Sequence, residues 1–246
     1  MSALRAAAVI PARWASTRFP GKPLARLAGR LVIEHVWDAV HSSGLFDEAV
    51  VATDDQRVAD AVKAFGGNVA MTSPRHASGS DRVAEVAGEL NADIIVNVQG
   101  DEPFLTAAPL RDLLAAFDDP DVQVASLMHH LQDETALHDP NRVKVVCACN
   151  GDALYFSRAA IPYGRDMGCH SHCYVHIGVY AYRRQTLLRF VHLPHGRLEE
   201  TEKLEQLRLL EHGIPIRMVA TDYRGIGIDT PNDLVRAEEL FDCGGP

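Results

Sequence analysis

The sequence predicts an α/β fold built on a mostly parallel β-sheet that helices cover on both faces. Through the first half of the chain, short apolar runs rich in β-branched residues alternate with segments of helical periodicity, which is the pattern of β-α-β units. With 246 residues, 47% of them hydrophobic, the chain is long enough to bury a full core. Ligands of such sheets bind at the carboxyl ends of the strands, so the loops that follow strands are the candidate functional segments.

The predicted elements follow from the period of the apolar residues and from capping signals. In the first half, strands are predicted at 6–10, 49–53, 68–71, 93–99 and 122–129, and helices at 31–41, 55–65, 80–90 (capped by Ser80) and 109–117. Strand-like runs at 143–148, 154–157 and 174–182 break this rhythm and indicate antiparallel additions or a small lobe. An amphipathic helix over Leu198–His212, a strand at 216–220 and a helix capped by Thr230 follow. Since no repeat or low-complexity linker interrupts the chain, a single domain spanning 1–246 is predicted, with a lobe at about 140–190.

Composition excludes several classes of protein. A net charge of −9 argues against a nucleic-acid coat, and no run of 18 apolar residues predicts a membrane span. The N-terminus does not resemble a secretory leader. The five cysteines are irregularly spaced, which fits a reducing compartment better than a disulfide framework. We therefore expect a cytoplasmic protein without a nucleic-acid or membrane partner.

A basic loop follows the first predicted strand. Arg13, Arg18 and Lys22 lie there with the hydroxyls of Ser16 and Thr17, and the first 33 residues contain six positive side chains and no negative one. Guanidinium groups hold phosphate oxygens bidentately, and lysine adds a mobile charge. Neither a Walker A loop nor G-x-G-x-x-G matches. The loop is predicted to bind a triphosphate, and a solvated basic surface loop is the alternative.

Two carboxylates stand at the ends of predicted strands or turns. Asp101 follows the strand at 93–99, and Asp229 lies between a glycine-rich turn and a helix cap. The two side chains could converge on Mg²⁺, which takes hard oxygen ligands and substrate phosphates. A turn or capping role is the alternative for each. The pair Asp54-Asp55 is explained by helix capping and is not assigned to a metal.

Three runs of sequence resemble one enzyme family. They are P-A-R-W-A-S-T-R-F-P-G-K-P-L from Pro11, V-N-V-Q-G-D-E-P to Pro103, and G-x-G-x-D-T-P-x-D-L from Gly225. Together they resemble the 3-deoxy-manno-octulosonate (Kdo) cytidylyltransferases, the CMP-Kdo synthetases. The resemblance implies that CTP and Kdo give CMP-Kdo and diphosphate, for lipopolysaccharide synthesis. It also implies a Rossmann-like fold of the nucleotide-diphospho-sugar transferase type, and a small lobe that helps to form a homodimer.

The resemblance also implies roles for individual residues. The catalytic set is Arg13, Arg18, Lys22, Asp101 and Asp229, with Mg²⁺ on the two aspartates. The CTP phosphates would contact Arg13, Ser16, Thr17, Arg18 and Lys22. The segment His76-Ala-Ser-Gly-Ser-Asp-Arg82 resembles the family's H-x-S-G-T/S-x-R, so Arg75, Ser78, Gly79 and Arg82 are further nucleotide-binding candidates. The sugar-acid candidates are Gln99, Arg158, His176, Tyr180, Glu205 and Gln206. From the residues alone, His176 fits a core histidine, and Glu205 and Gln206 fit exposed helix positions.

Several alternatives stay open at this point. By analogy the anomeric hydroxyl of Kdo attacks the α-phosphorus, and no general base is assigned. A CMP-sialate synthetase typically has R-G-G-S-K where this chain has Arg13-Trp-Ala-Ser-Thr-Arg18, and a sugar-1-phosphate pyrophosphorylase has a G-x-G-T-R loop that is absent. An 8-amino-Kdo substrate and a non-catalytic nucleotide sensor remain possible. So does UTP, since the residues do not distinguish it from CTP.

The segment Cys169-His-Ser-His-Cys173 departs from the family pattern and leaves the sugar specificity open. It supplies half of a structural zinc site, yet Cys147-x-Cys149 is poorly spaced to supply the rest. A solvated loop is the preferred interpretation.

Overall fold

The computed structural model describes residues 4–15, 18–131, 134–165, 173–225 and 227–242. The chain divides into two compact units, one formed by 1–110 with 225–246 and the other by 111–224. The division lies inside one helix, and the second unit begins well before the lobe expected at about 140–190. The predicted single domain stays a prediction.

The strands in chain order are β1 (Ala6–Pro11), β2 (Arg26–Leu27), β3 (Arg30–Leu31), β4 (Glu48–Thr53), β5 (Val69–Met71), β6 (Ile94–Asn97), β7 (Val124–His130), β8 (Lys144–Cys147), β9 (Ala153–Ser157), β10 (Tyr174–Arg183) and β11 (Arg217–Ala220). The α-helices are α1 (Val32–Ser42), α2 (Gln56–Ala64), α3 (Gly79–Glu89), α4 (Ala107–Ala115), α5 (Glu134–His138), α6 (Arg184–Phe190), α7 (Arg197–Glu202), α8 (Leu207–Glu211) and α9 (Pro231–Asp242). Short 3₁₀ turns occupy Lys22–Leu24 and Ala116–Asp118. Among the described helices, none is both long and apolar enough to cross a lipid bilayer.

The first unit contains a parallel sheet in the order β6-β1-β4-β5. Strand β1 lies at its centre because it is apolar on both faces: residues 6–10 are all buried, and Val9 and Ile10 are fully so. From β1 the chain passes through α1 to β4 and then through α2 to β5. It then crosses back through α3 to β6, on the other side of β1. The strand order therefore reverses between β1 and β6. The loops after these two strands flank the crevice where such sheets bind ligands.

The second unit contains a mixed sheet. Strand β11 runs parallel to β7, while β7 with β10, β10 with β8 and β8 with β9 are antiparallel pairs. Its buried side chains include Phe156, Val179, Tyr182, Leu187 and Phe190. The antiparallel strands after residue 140 agree with the break in rhythm predicted from the sequence.

Two local predictions are wrong. The helix predicted over Leu198–His212 is two short helices, α7 and α8, separated where Lys203 adopts a left-handed conformation with φ 55°. The third helix is capped by Ser78 and not by Ser80: the Ser78 hydroxyl accepts from the backbone N–H of Asp81 at 3.1 Å, and the Asp81 carboxylate accepts from the N–H of Ser78 at 3.1 Å. This reciprocal pair is a capping box.

Candidate active site

The basic loop begins where β1 ends and returns to the sheet through a tight turn. The backbone N–H of Gly21 donates to the carbonyl of Trp14 at 3.0 Å, which closes the loop on itself. Gly21 has φ 74°, a left-handed conformation that disfavours other residues, and it opens the 3₁₀ turn Lys22–Leu24. The turn directs Lys22 into the unit, so that only 14% of its side chain is exposed. Arg18 stays 63% exposed.

The first carboxylate reaches this loop through close backbone packing at Gly100. A Cβ at Gly100 would lie 2.7 Å from the carbonyl oxygen of Pro11, so only glycine lets the loop after β6 approach the end of β1. Asp101 follows directly. Its side chain points towards Lys22, with the Lys22 Nζ to Asp101 Oδ2 distance at 2.5 Å.

The second carboxylate is placed by the start of α9. Thr230 and Asp233 form the predicted cap: the Thr230 Oγ1 accepts from the Asp233 N–H at 3.2 Å, and the Asp233 carboxylate accepts from the Thr230 N–H at 2.8 Å. The N–H of Ile228, the residue before Asp229, donates to the Asp101 carbonyl at 2.9 Å. This bond ties the two acidic loops together and leaves the Asp229 side chain beside Asp101.

Two cations and two carboxylates therefore meet at one point of the first unit. Lys22 Nζ lies 3.4 Å from Asp229 Oδ1, in addition to its contact with Asp101, and the Arg18 Nη2 donates to the same Asp229 oxygen at 3.1 Å. The two aspartates are 128 positions apart in sequence, yet both contact a single ammonium group. The predicted convergence of Asp101 and Asp229 is present in the structure, while the ligand that they would hold stays a prediction.

The donor set fits Mg²⁺. This ion is bound in phosphate-transfer sites by one or two carboxylates, with substrate phosphates and waters as its other ligands. Asp101 and Asp229 provide two such carboxylates on adjacent loops. Within the described ranges, no group of three or more His, Cys, Asp or Glu gathers around a common point.

The loop before α3 forms another wall of the site. The His76 Nε2 contacts the Glu85 carboxylate, which also accepts from the Ser73 N–H at 3.0 Å. The hydrogen bond from His76 and that from Ser73 lower the pKa of Glu85. Buried Arg82 is held by the Thr72 hydroxyl and by Asp54, whose Oδ2 lies 2.9 Å from the Arg82 Nη2.

These walls enclose a cleft of about 300 Å³ at the carboxyl ends of β1 and β6. Nine residues predicted from the sequence line it: Arg13, Arg18, Lys22, Ser78, Gly79, Arg82, Gln99, Asp101 and Asp229. Arg75 is exposed on the same loop as Ser78 and is not among the described residues that line the cleft. Ser16 and Thr17 lie outside the described residues.

Sequence reasoning passed over two contributors to this site. His76 was part of a recognised motif but was not a candidate, although it lines the cleft. Asp54 was assigned to capping together with Asp55. Asp55 does cap α2, since its Oδ1 accepts from the Arg57 N–H at 2.9 Å, whereas Asp54 orients Arg82. The sequence signal for Asp54 was only its position directly after a strand.

The second unit gathers polar and aromatic side chains around His176. Its Nε2 lies 3.0 Å from the Ser126 hydroxyl, and its ring centroid is 5.1 Å from that of Phe156 and 5.3 Å from that of Tyr180. Desolvation in these surroundings lowers the pKa of His176 to about 3, so the ring is neutral at pH 7. The Tyr180 hydroxyl is buried, and burial raises its pKa well above the ordinary value.

The remaining sugar-acid candidates of this unit lie near the end of α7. Gln206 is buried and Glu205 precedes it in the segment between α7 and α8, so neither is the exposed mid-helix position that the sequence allowed. Arg158 is already engaged by main-chain carbonyls: its Nε donates to Glu202 O at 2.9 Å and its Nη1 to Pro140 O at 2.9 Å. The guanidinium thus has a structural role, and its contact with a sugar carboxylate stays a prediction.

Of the segment Cys169–Cys173, only Cys173 is described, and it is buried. Cys169, His170, Ser171 and His172 lie outside the described residues. The set-aside zinc site is therefore not tested by the structure.

Comparison with known proteins decides the family. A cytidylyltransferase family model matches residues 7–217. A 3-deoxy-manno-octulosonate cytidylyltransferase of Myxococcus xanthus is 50% identical over 246 residues, covering 100% of both chains. The chain belongs to the 3-deoxy-manno-octulosonate cytidylyltransferase family. Another member, from Nitratidesulfovibrio vulgaris strain Hildenborough, is 52% identical over 232 residues and covers 92% of each chain.

Solved structures agree with this membership. The structure of a CMP:2-keto-3-deoxy-manno-octonic acid synthetase complexed with CTP matches with a TM-score of 0.93 and 43% identity, over 98% of this chain and 99% of that one. A 4-diphosphocytidyl-2C-methyl-D-erythritol synthase from Anaerococcus prevotii has a TM-score of 0.65 at 14% identity, a likeness of fold alone. This family member is therefore a nucleotidyltransferase with the predicted α/β fold.

Proposed function

We propose that the chain catalyses the transfer of CMP from CTP to Kdo, giving CMP-Kdo and diphosphate. Whole-length similarity to enzymes of that name supports the reaction. The observation that carries the proposal is the meeting of Lys22, Arg18, Asp101 and Asp229 beside the end of β1. Such a cluster of cations and paired carboxylates suits a nucleoside triphosphate with its metal.

The roles of the residues follow from charge. Arg13, Arg18 and Lys22 would bind the β- and γ-phosphates and neutralise the charge that grows on the departing diphosphate. In the free chain, Lys22 and Arg18 are held by the carboxylates, so binding of the triphosphate would exchange these partners for phosphate oxygens. The cations are positioned beforehand, which spares reorganisation during the reaction.

Asp101 and Asp229 would hold Mg²⁺. When bound, this ion supplies Lewis-acid polarisation of a phosphate and neutralises its charge. The protein's own part is to orient the triphosphate for in-line attack by the anomeric hydroxyl of the sugar. Ser78, Gly79 and Arg82 line the cleft on the side of α3 and would contact the rest of the nucleotide, as would Ser16, Thr17 and Arg75.

The sugar-acid candidates of the second unit are Arg158, His176, Tyr180, Glu205 and Gln206, and Gln99 is the candidate in the first unit. A polyhydroxylated carboxylate needs mixed donors and acceptors, and the neutral His176 ring and protonated Tyr180 hydroxyl are such groups. We further propose that the enzyme is a homodimer and that it works in the cytoplasm, where CTP is made. Sedimentation velocity would test the dimer.

The substrate assignment is tested by initial rates of diphosphate release. CTP is compared with UTP in the presence of Kdo, and Kdo is compared with 8-amino-Kdo and sialic acid in the presence of CTP. The proposal expects kcat/KM to be highest for CTP with Kdo. A clear preference for 8-amino-Kdo or sialic acid would assign the enzyme to that sugar instead, and CTP binding without turnover on any sugar would favour a nucleotide sensor.

A further inference from the structure

An arginine is stacked on an aromatic ring of the basic loop, outside the residues that line the cleft. The Arg57 guanidinium carbon sits 3.5 Å from the centre of the Trp14 ring, the geometry of a cation–π contact. Arg57 belongs to α2, whereas Trp14 belongs to the basic loop. The contact therefore joins the basic loop to α2, the helix that connects β4 and β5.

The arginine in this stack cannot turn freely. Its Nε donates to Asp55 Oδ1 at 2.9 Å and its Nη2 donates to Asp55 Oδ2 at 2.6 Å. This bidentate ion pair fixes the plane of the guanidinium. Asp55 is itself fixed, because it caps α2 through the Arg57 N–H. The hydrogen bonds from Arg57 lower the pKa of Asp55, so the pair stays charged at pH 7.

The six-membered ring of Trp14 lies against the turn that directs Lys22. A Cβ at Gly21 would be 2.9 Å from the Trp14 Cη2 and 3.1 Å from its Cζ2. The Trp14 carbonyl accepts from the Gly21 N–H at 3.0 Å. Both the ring and the carbonyl of Trp14 thus brace Gly21, the residue before Lys22.

We propose that Trp14 and Arg57 are positioning residues that hold the basic loop in its triphosphate-binding arrangement. Neither side chain is among the described residues that line the cleft, so both would act through Arg18 and Lys22. If the bound arrangement is populated only part of the time, the apparent affinity falls by that fraction. The identity of the ligand, CTP, rests on the proposed function; the ordering of the loop does not.

The kinetic test uses paired substitutions. Arg57→Gln should raise the KM for CTP about three- to fivefold, the range of an exposed cation–π contact, and leave the KM for Kdo unchanged. Trp14→Leu should raise the KM for CTP by at least as much. The double variant should match Trp14→Leu alone, because both changes break one contact. Arg57→Lys keeps the cation and Trp14→Phe keeps a ring, so each should recover part of the loss. Arg236→Gln, at an exposed position of α9, is the matched control.

A second readout needs no substrate. Trypsin cleaves after arginine, and the Arg18–Phe19 bond lies inside the braced loop. Arg57→Gln and Trp14→Leu should accelerate cleavage at this bond in the native protein at unchanged thermal midpoint, while Arg236→Gln should not. Equal cleavage rates in all variants would overturn the proposal, whatever the substrate is. Faster cleavage with no activity towards CTP would support the brace and reject the proposed function.

Discussion

Lys22 is the residue on which the charges of the site converge. Its ammonium group contacts Asp101 at 2.5 Å and Asp229 at 3.4 Å, and only 14% of its side chain is exposed. Two partly buried carboxylates this close would repel one another without the cation between them. In this structure the charge of Lys22 offsets that of both carboxylates, and under the proposed function Mg²⁺ would take over this role.

This account predicts that both carboxylates are needed for turnover. Asp101→Asn and Asp229→Asn should each lower kcat by about 100-fold or more, the scale for losing one preorganised charged contact in a transition state. The measurement is diphosphate release as a function of Mg²⁺ concentration. Asp60→Asn, an exposed change on α2, should leave it unaltered. Full Mg²⁺-dependent activity in either site variant would show that the metal binds elsewhere.

Gly100 sets the approach of the two loops. An added Cβ would meet the Pro11 carbonyl oxygen at 2.7 Å, and backbone cannot move aside as a flexible side chain can. Gly100→Ala should therefore lower the free energy of unfolding by roughly 1–3 kcal/mol, measured by urea denaturation. Gly88→Ala is the matched control, since nothing lies within 4 Å of its Cβ position in α3, and it should stabilise by up to about 1 kcal/mol. Equal stabilities for the two variants would contradict the close packing.

His176 makes stability depend on pH. Its pKa is about 3 in the fold because of desolvation, and near 6.5 in an unfolded chain. Between these pH values the unfolded state binds a proton that the folded state does not. The contribution of His176 to stability is therefore complete above pH 6.5 and is lost as the pH falls towards 3. The slope is at most about 1.4 kcal/mol per pH unit.

Urea unfolding at pH 7.5 and pH 5.0 measures this contribution. His176→Gln should lose less stability between the two pH values than the wild type does. His41→Gln, at an exposed position of α1, should lose as much as the wild type. An unchanged difference in His176→Gln would mean that the ring is not neutral in the fold.

At the scale of elements, a buried ion pair fixes the broken helix near the sugar-acid candidates. Arg208 of α8 donates to Glu199 of α7 through its Nε at 2.7 Å and its Nη2 at 2.5 Å, and both residues are buried. Burial alone would raise the pKa of Glu199, but the hydrogen bonds and charge of Arg208 lower it overall. The pair joins α7 to α8, with Glu205 and Gln206 in the segment between them.

Glu199→Gln should therefore destabilise the chain by about 3 kcal/mol, because it removes the carboxylate closest to buried Arg208 and leaves the more distant Glu205 Oε1, 3.9 Å from the Arg208 Nη2. If the proposed sugar site is correct, the KM for Kdo should rise more than the KM for CTP. Glu200→Gln, exposed on the same helix, controls for the loss of a surface charge. A stability change equal to that of Glu200→Gln would show that the pair contributes little.

The two wrong element predictions have different physical causes. The apolar period of residues 198–212 continues across the break, and the left-handed conformation of Lys203 has no sequence signal because the residue is not glycine. The misplaced cap was avoidable. Ser78 lies three residues before Asp81, the spacing of a capping box, while Ser80 does not have an acidic residue at that spacing.

At the scale of the whole molecule, the cleft at the ends of β1 and β6 was more predictable from sequence than the surroundings of the sugar-acid candidates. Strands β1 and β6 are continuous apolar runs, so their ends could be located, and the parallel-sheet rule then predicts that the loops after them lie at one edge of the sheet. The partner of Arg82, the contact of His76 with Glu85 and the burial of Gln206 depend on packing between segments far apart in the chain. Periodicity does not report such packing.

Product analysis tests the central claim most directly. The purified chain is mixed with CTP, Kdo and Mg²⁺, and ³¹P NMR follows the reaction. We predict that CTP is converted into equal amounts of diphosphate and a new phosphodiester, CMP-Kdo, and that neither forms without Kdo. Diphosphate formed at the same rate in the absence of Kdo, or CTP left intact in its presence, would contradict the assignment.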